Sequence, residues 1–211
     1  MTFNQILKEE LTLPLPGIDS QLKMAPENRN IHFDDGLKQN AAVSIVISSS
    51  SENEKEIVLI KRPEYDGHHS GQVSFPGGKE EHEDRSLLAT AMRETYEEIG
   101  LRLSEDNYLG DLSPLFIPVS RFMVYPYIFT WQAPGDFTLD PNEVDYIIPF
   151  QLKKLIDVNL IKYTRLQISE QTIPTPYFAI GKEIVWGATA MILSEFVDIL
   201  YSIERKNPGL F

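Results

Sequence analysis

The segment that ends at Gly100 has the residue spacing of a single helix. Its core-facing side chains follow i, i+3, i+4, i+7 and i+11 spacing, at Leu88, Ala91, Met92, Thr95 and Ile99. This spacing predicts an amphipathic helix with one stripe directed at the core. Gly100 follows the stripe immediately, where helices commonly end on a left-handed glycine. Asp84 or Ser86 can cap the start of this helix.

Three carboxylates, those of Glu94, Glu97 and Glu98, fall on one flank of this helix, away from the stripe. Glu94 and Glu98 form a like-charge i, i+4 pair, which costs about 0.2–0.5 kcal/mol. Glu97 and Glu98 also lie beside the negative end of the helix dipole. This position destabilises the helix by roughly 0.3–1 kcal/mol for each glutamate if it is exposed. Arg93, the nearby cation, precedes Glu97 in the less favourable i, i+4 orientation.

Two interpretations of this acidic flank are open. A solvated acidic surface is the usual origin of a charge run, but here it would carry several small costs without local compensation. A bound divalent cation would remove the repulsion, and hard cations prefer oxygen ligands. The flank is therefore a candidate metal site.

The chain has 211 residues, of which 42% are hydrophobic, enough for one well-packed domain and few for two. The largest apolar runs, VSIVI and IVLI, are much shorter than the ~20 residues of a membrane helix. The first residues, MTFNQILKEEL, lack a secretory signal pattern. We therefore expect a cytoplasmic protein without a membrane partner.

The net charge of −12 argues against a general nucleic-acid or anionic-membrane surface. An anionic small molecule can still bind where a metal and a few cations are concentrated. The absence of cysteine excludes disulfides, thiolate catalysis and cysteine metal sites.

Strand-like and helix-like segments alternate along the chain and predict an α/β fold with a mixed sheet between helices. The predicted strands are Ala41–Ser48, Glu56–Lys61, Gly71–Phe75, Tyr108–Phe116, Val124–Gln132 and Val144–Pro149. The predicted helices are Phe3–Leu11, the one ending at Gly100, Leu152–Asp157 and Ile184–Glu204, the last beginning at or just after Val185–Gly187. The first two strands form a hairpin around a serine-rich loop. Residues 1–40 are expected to be an N-terminal extension that packs on a domain of residues 41–211.

Upstream of the acidic helix, Pro76, Gly77 and Gly78 impose a tight backbone bend without Cβ atoms at the glycines. A simple turn is the common outcome of such a tripeptide. The functional interpretation is a loop whose carbonyls and amides face the acidic flank, where they add a metal ligand or bind a phosphate.

These residues together resemble the signature of the Nudix hydrolase family. Gly78, Asp84 and the run Arg93–Leu101 match its glycine, spaced acid, Arg-Glu, Glu-Glu and glycine. The acid is Asp84 rather than glutamate, and the gap to Arg93 is one residue longer than usual. In the family this acid and the arginine mainly brace the loop against the helix. The resemblance implies an α/β/α sandwich in which Asp84 and Arg93 are supporting residues.

A longer resemblance, from Leu59 to Gly78, points to the coenzyme A diphosphatase branch. Its matching positions are Leu59, Arg62, Gly71, Val73, Phe75, Pro76, Gly77 and Gly78. Pro63 stands where serine is common and Gly67 where arginine is common, and His68, His69 or Lys61 are candidates to compensate. The segment Pro176–Leu193 is also similar to this branch, which often carries Trp-Gly-x-Thr-Ala there. The resemblance extends over roughly residues 41–200.

The resemblance implies Mg²⁺- or Mn²⁺-dependent hydrolysis of a coenzyme A-like nucleotide. Glu94, Glu97, Glu98 and the Gly77 carbonyl are then the metal ligands. Glu97, or next Glu98, is the catalytic base. Arg62, Lys61 and Gly78 are the expected substrate-binding residues, and Glu143 is a further candidate carboxylate.

Three functions are compatible with the sequence. The first is hydrolysis of coenzyme A or its esters into phosphopantetheine compounds and adenosine 3′,5′-bisphosphate. The second is hydrolysis of ADP-ribose, a dinucleotide or a nucleoside triphosphate, which the glycine at position 67 favours. The third is a sensor that binds a nucleotide without cutting it. Such sensors usually lose the carboxylates that this chain retains. Monomer and homodimer are both open.

Overall fold

The computed structural model describes residues 1–27, 38–51, 54–64, 70–132, 137–168 and 171–210. Gly67, His68 and His69, which the sequence analysis considered as substrate-binding positions, lie outside the described residues. Within the described part of the chain, no helix is both long and apolar enough to cross a membrane.

Eleven strands and five α-helices are present in the described ranges. The strands are β1 (Gln39–Ser51), β2 (Glu54–Lys61), β3 (Val73–Ser74), β4 (Gly77–Lys79), β5 (Tyr108–Asp111), β6 (Leu115–Ile117), β7 (Phe122–Trp131), β8 (Tyr146–Gln151), β9 (Ile161–Ile168), β10 (Gln171–Ile180) and β11 (Glu183–Val185). The helices are α1 (Phe3–Leu11), α2 (Gly17–Leu22), α3 (Leu87–Ile99), α4 (Leu152–Leu155) and α5 (Gly187–Lys206).

Eight strands form one mixed sheet. Its path runs β3-β2-β1-β7-β5, while β4 pairs with β1, β6 with β7 and β8 with β2. The long central pair β1 and β7 is parallel, and the other pairs in this sheet are antiparallel. The predicted α/β fold with a mixed sheet is therefore confirmed, as is the hairpin of β1 and β2.

Side chains of β1 alternate between two helical layers. Ala42 packs with Ala91 of α3, and the Ser44 hydroxyl also reaches α3. Ile45 and Ile47 face the opposite way, into the larger core that α5 completes. The sheet consequently has α3 on one face and α5 on the other, which is the sandwich that the resemblance implied. Because successive side chains of a strand point to opposite faces, only every second residue near the strand ends can reach α3.

Three segments differ from the predicted elements. Gly77 and Gly78, predicted as a bend or loop, belong to the short strand β4. The single strand expected over Tyr108–Phe116 is two strands, β5 and β6, because Pro114 between them has no N–H for a ladder. A second, three-stranded sheet of β9, β10 and β11 was not expected. Its middle strand contains Pro174 and Pro176, which weaken the sequence signal for a strand. The final helix begins at Gly187, within the predicted start.

The N-terminal helices lie against the rest of the chain. Phe3, Leu7 and Met24 are buried in the larger core. Thr2 and Gln5 form a capping box that starts α1. Helix α2 packs on α5, and α1 packs on β5 and α5. The division of the chain at residue 40 stays a prediction.

Candidate active site

Helix α3 carries the acidic flank and has defined ends. The Ser86 hydroxyl accepts a hydrogen bond from the Ala89 N–H at 3.2 Å and caps the first turn. Gly100 ends the helix with a φ of 74°, as its position predicts. Of the two predicted caps, Ser86 therefore caps the helix, and Asp84 makes other contacts.

The Arg93 guanidinium joins three carboxylates. It forms two hydrogen bonds with Asp84, Nε to Oδ1 at 3.0 Å and Nη2 to Oδ2 at 2.9 Å. Its Nη1 lies 2.9 Å from Glu94 and 2.8 Å from Glu97. Nη2 also donates to the carbonyl of Lys79 at 3.0 Å, which connects α3 to the end of β4. The expectation that the flank lacks local compensation was therefore wrong for Glu94 and Glu97.

The ion pair between Arg93 and Asp84 shifts both groups toward their charged forms. The guanidinium of Arg93 lowers the pKa of Asp84 to about 2, an effect that burial partly opposes. Hydrogen bonding to Asp84 in turn raises the pKa of Arg93. The two side chains therefore stay charged throughout the neutral range.

Glu98 is the buried member of the acidic flank, with a side chain only 1% exposed. Its Oε2 accepts the Gly77 N–H at 2.9 Å, and its Oε1 lies 3.3 Å from Arg62 Nη2. Burial raises its pKa to about 8, although the Arg62 charge and the Gly77 hydrogen bond oppose the shift. The Arg62 charge and the Gly77 hydrogen bond therefore compensate this buried carboxylate only in part.

Glu94 and Glu97 differ in their exposure. Glu94 is 13% exposed and Glu97 is 52% exposed. Burial raises the pKa of Glu94, and the Arg93 charge opposes the shift. A Cβ atom on Gly78 would lie 2.4 Å from the Glu94 carboxylate carbon. Gly78 therefore leaves the space that Glu94 occupies above the loop.

Gly77 connects this site to the centre of the sheet. It pairs with Val43 of β1 and adopts a φ of 152°, a conformation that side-chain-bearing residues rarely adopt. A Cβ here would lie 2.3 Å from the Ala42 carbonyl oxygen. Its own carbonyl oxygen is 3.5 Å from Arg62 Nη2, and its N–H donates to Glu98. The Gly77 carbonyl and the Glu98 carboxylate thus share one neighbour, Arg62.

The loop between β7 and β8 adds a fourth acidic side chain. The Asp140 N–H donates to the Glu98 carbonyl at 3.0 Å, and the Thr138 N–H donates to that of Ile99 at 3.1 Å. These bonds hold the loop against the end of α3. Exposed Glu143 follows in this loop, close enough for its charge to raise the pKa of Glu94 and Glu98.

Lys61 and Arg62 are neighbours in sequence but lie on opposite faces of the sheet. Arg62 reaches Glu98 on the α3 face. Lys61 shares a face with Leu59, on the α5 side, and its Nζ lies 2.6 Å from Glu183. The Tyr146 hydroxyl donates to the same carboxylate at 2.8 Å. The structure therefore brings Arg62, but not Lys61, to the acidic flank.

The sequence alone did not predict Glu183 as a site residue. It belongs to β11 of the unexpected second sheet, and its partners are more than thirty residues away in sequence. No local spacing signals such a contact. Its position becomes apparent only when the two sheets are assembled.

The donor set of the acidic flank has the chemistry of a hard-cation site. Among the residues that the structure describes, no three Asp, Glu or His side chains converge on one point as a metal cluster would require. The available donors are nevertheless carboxylate and carbonyl oxygens, which suit Mg²⁺ and Mn²⁺. The undercompensated Glu98 beside the Gly77 carbonyl fits the positive charge of such an ion.

Comparison with known sequences identifies the family. The NUDIX domain matches residues 38–167. Mitochondrial coenzyme A diphosphatase NUDT8 of Mus musculus is 35% identical over 138 residues, which cover 64% of this chain and 65% of the mouse protein. The human protein of that name is 31% identical over 175 residues, 82% of this chain and 71% of its own length. Uncharacterized Nudix hydrolase NudL of Yersinia pestis (strain Pestoides F) is 30% identical over 170 residues, which cover 80% of this chain and 84% of the Yersinia protein. The chain thus spans less than two thirds of the mouse protein.

Solved structures agree on the fold. A MutT/nudix family protein from Enterococcus faecalis superimposes with a TM-score of 0.56 at 14% identity, covering 82% of this chain and 66% of the other. A MutT protein from Methanosarcina mazei Go1 superimposes with a TM-score of 0.51 at 18% identity, and the match covers 84% of this chain and 100% of the other. These likenesses show the fold, and the NUDIX domain that matches residues 38–167 shows that the chain belongs to the Nudix family.

Proposed function

We propose that this protein hydrolyses the diphosphate bond of coenzyme A or its derivatives in a metal-dependent reaction. Water adds to one phosphorus, the bridging P–O bond breaks, and the products are phosphopantetheine compounds and adenosine 3′,5′-bisphosphate. The observation that carries the proposal is the contact of buried Glu98 with Arg62 and Gly77, two residues of the segment Leu59–Gly78 that resembles the coenzyme A diphosphatase branch. The relatives named as coenzyme A diphosphatases support the choice of substrate.

The acidic flank supplies the proposed metal ligands. Glu94, Glu97, Glu98 and the Gly77 carbonyl would hold Mg²⁺ or Mn²⁺, with Glu94 and Glu97 exchanging contacts with Arg93 for contacts with the ion. A divalent cation in such a site lowers the pKa of bound water and polarises phosphoryl oxygens. Arg93 remains anchored through Asp84, so its movement is limited.

The chain itself accepts the proton and orients the substrate. Glu97, the most exposed of the three carboxylates, is the proposed base that accepts a proton from the attacking water, with Glu98 as second candidate. The planar guanidinium of Arg62 suits the phosphoryl oxygens. Gly78 leaves room for the Glu94 carboxylate beside the backbone, and its contact with substrate stays a prediction. The prediction that Lys61 binds substrate stays a prediction, as do the cytoplasmic location and the oligomeric state.

The test is product analysis by mass spectrometry with a substrate panel. Purified protein is incubated with coenzyme A, ADP-ribose, NADH and nucleoside triphosphates, with Mg²⁺, with Mn²⁺ and with EDTA. We expect metal-dependent formation of phosphopantetheine and adenosine bisphosphate, faster than any other product. Glu97→Gln should abolish turnover without changing the fold, whereas Glu83→Gln, at an exposed position outside the flank, should have no effect. Faster cleavage of another diphosphate would overturn the choice of substrate.

A further inference from the structure

A pair of buried hydroxyls connects α3 to the central strand β1. Ser44 and Thr95 are both completely buried. Their oxygens are 2.7 Å apart, and the Ser44 oxygen lies 3.0 Å from the Ala91 carbonyl. The Thr95 oxygen also lies 2.7 Å from the Ala91 carbonyl. Each hydroxyl has one proton, so one of the two donates to the other and the other donates to Ala91. Both hydroxyls are therefore satisfied inside the α3–β1 interface.

The backbone of the same serine also bonds to the segment Pro76–Gly78, which is called the glycine loop below. The Ser44 N–H donates to the Pro76 carbonyl at 2.8 Å. The next residue along the loop, Gly77, donates its N–H to Glu98 at 2.9 Å. Glu98 lies one helical turn after Thr95, so these contacts form a closed ring. The ring runs from Thr95 to Ser44, Pro76, Gly77 and Glu98, and back along the helix.

The clearances inside this ring are small. A Cβ on Gly77 would approach the Ala42 carbonyl to 2.3 Å, and one on Gly78 would approach the Glu94 carboxylate to 2.4 Å. The helix and the loop are thus in contact through backbone and carboxylate atoms. A shift of α3 by a fraction of an ångström changes where Glu94 and Glu98 lie relative to the loop.

Packing alone does not explain a threonine at position 95. Valine has nearly the same shape and would fill the core stripe without a polar atom. Burying a hydroxyl carries a desolvation cost that its hydrogen bonds only offset, so this position gains little net stability from it. The hydroxyl instead fixes the position of α3, because its hydrogen bond to Ser44 holds the helix relative to β1 and to Pro76.

We propose that Ser44 and Thr95 are positioning residues for the metal site, which set the placement of Glu94 and Glu98 against Gly77 and Gly78. This inference rests on the metal dependence in the proposed function. It does not depend on the identity of the substrate. The pair touches neither substrate nor metal and acts through the helix and the loop.

The test is direct Mn²⁺ binding to the metal-free protein, measured by electron paramagnetic resonance of the free ion. Thr95→Val should weaken Mn²⁺ binding about 10-fold, the effect typical of losing a residue that orients metal ligands. Thr95→Ser keeps the hydroxyl and should restore Kd to within about twofold. Thr175→Val is the matched control, because Thr175 is equally buried but bonds to Ile173 in the second sheet.

Ser44→Ala provides an independent variant should Thr95→Val fail to fold, and we expect the same weakening of Mn²⁺ binding. A wild-type Kd in a folded Thr95→Val or Ser44→Ala variant would overturn the inference, and so would equal losses in Thr95→Ser and Thr95→Val. Wild-type protein that binds no Mn²⁺ would overturn both this inference and the metal dependence. Mn²⁺ binding with the expected variant effects, but without coenzyme A cleavage, would reject the proposed substrate alone.

Discussion

At the scale of single residues, Gly77 and Gly78 have different reasons to be glycine. A Cβ on Gly77 would meet backbone atoms of Ala42 and Val43, at a φ unsuited to other residues. A Cβ on Gly78 would meet only the end of the Glu94 side chain, which can move. The first glycine is needed by the fold, and the second is needed by the site.

Substituting each glycine by alanine should separate these requirements. Gly77→Ala is expected to destabilise the protein by roughly 3 kcal/mol or more, because backbone must shift to relieve the clash. Gly78→Ala should change stability by less than about 1 kcal/mol but lower kcat about 100-fold, because Glu94 is displaced. Urea unfolding and steady-state kinetics measure the two effects. Equal stability losses in the two variants would contradict this distinction.

Asp84 contributes stability through its ion pair with Arg93, and the contribution depends on pH. Its pKa is about 2 in the folded protein and 3.8 in the reference state. The stabilisation is therefore present above about pH 4 and is lost as the pH falls toward 2.

Asp84→Asn should cost about 2 kcal/mol at pH 7, from the size of that shift. The difference from wild type should shrink between pH 4 and pH 2, because wild-type Asp84 then becomes neutral as well. Denaturant unfolding at several pH values measures this difference in the free energy of unfolding, with exposed Asp106→Asn as the control. A difference that stays constant over this range would show that the charge of Asp84 is not responsible.

At the scale of elements, local patterns predicted α3 better than the second sheet. The apolar spacing, the capping serine and Gly100 all lie within the fifteen residues from Ser86 to Gly100. Strands β9 and β10 have two prolines and mostly exposed side chains in β9, so alternation is weak. The compensation of the acidic flank by Arg93 depends on side-chain geometry that sequence spacing does not determine.

Glu183 of the second sheet forms hydrogen bonds with two residues of the first sheet. Its carboxylate accepts from Lys61 at 2.6 Å and from Tyr146 at 2.8 Å, and it is only 11% exposed. Glu183→Gln should lower stability by about 1–3 kcal/mol, because charge-assisted bonds are replaced by weaker ones.

The kinetic effect of Glu183→Gln tests the role of Lys61. An unchanged KM for coenzyme A is expected, since Glu183 lies on the face away from Glu98. Thermal unfolding and steady-state kinetics measure both quantities, and exposed Glu81→Gln is the control. A raised KM with unchanged stability would instead connect Lys61 and Glu183 to substrate binding.

At the scale of the whole molecule, the folded unit extends beyond the residues that match the family. Buried Glu195 of α5 accepts N–H bonds from Gly17 at 3.0 Å and Ser113 at 3.2 Å. Its other oxygen accepts from the Gln21 side chain at 2.9 Å. One carboxylate thus joins the N-terminal segment, the loop before β6 and the last helix.

Glu195→Gln should destabilise the protein by about 1–3 kcal/mol, because an amide group replaces an acceptor that faces donors. The loss should be greatest where residues 1–27 dock. Limited proteolysis is expected to cleave that segment faster in the variant, with unchanged cleavage elsewhere. An unaltered proteolysis pattern together with wild-type stability would show that Glu195 does not hold the N-terminal segment.

The most direct test of the account is a competition between two diphosphates in one reaction. Equimolar coenzyme A and ADP-ribose are incubated with the protein and Mg²⁺, and products are followed by mass spectrometry. The proposed function predicts that phosphopantetheine and adenosine 3′,5′-bisphosphate form first, and that Glu98→Gln forms neither. Release of AMP and ribose 5-phosphate while coenzyme A stays intact would contradict the proposed substrate. Undiminished coenzyme A cleavage by Glu98→Gln would contradict the role of the buried carboxylate.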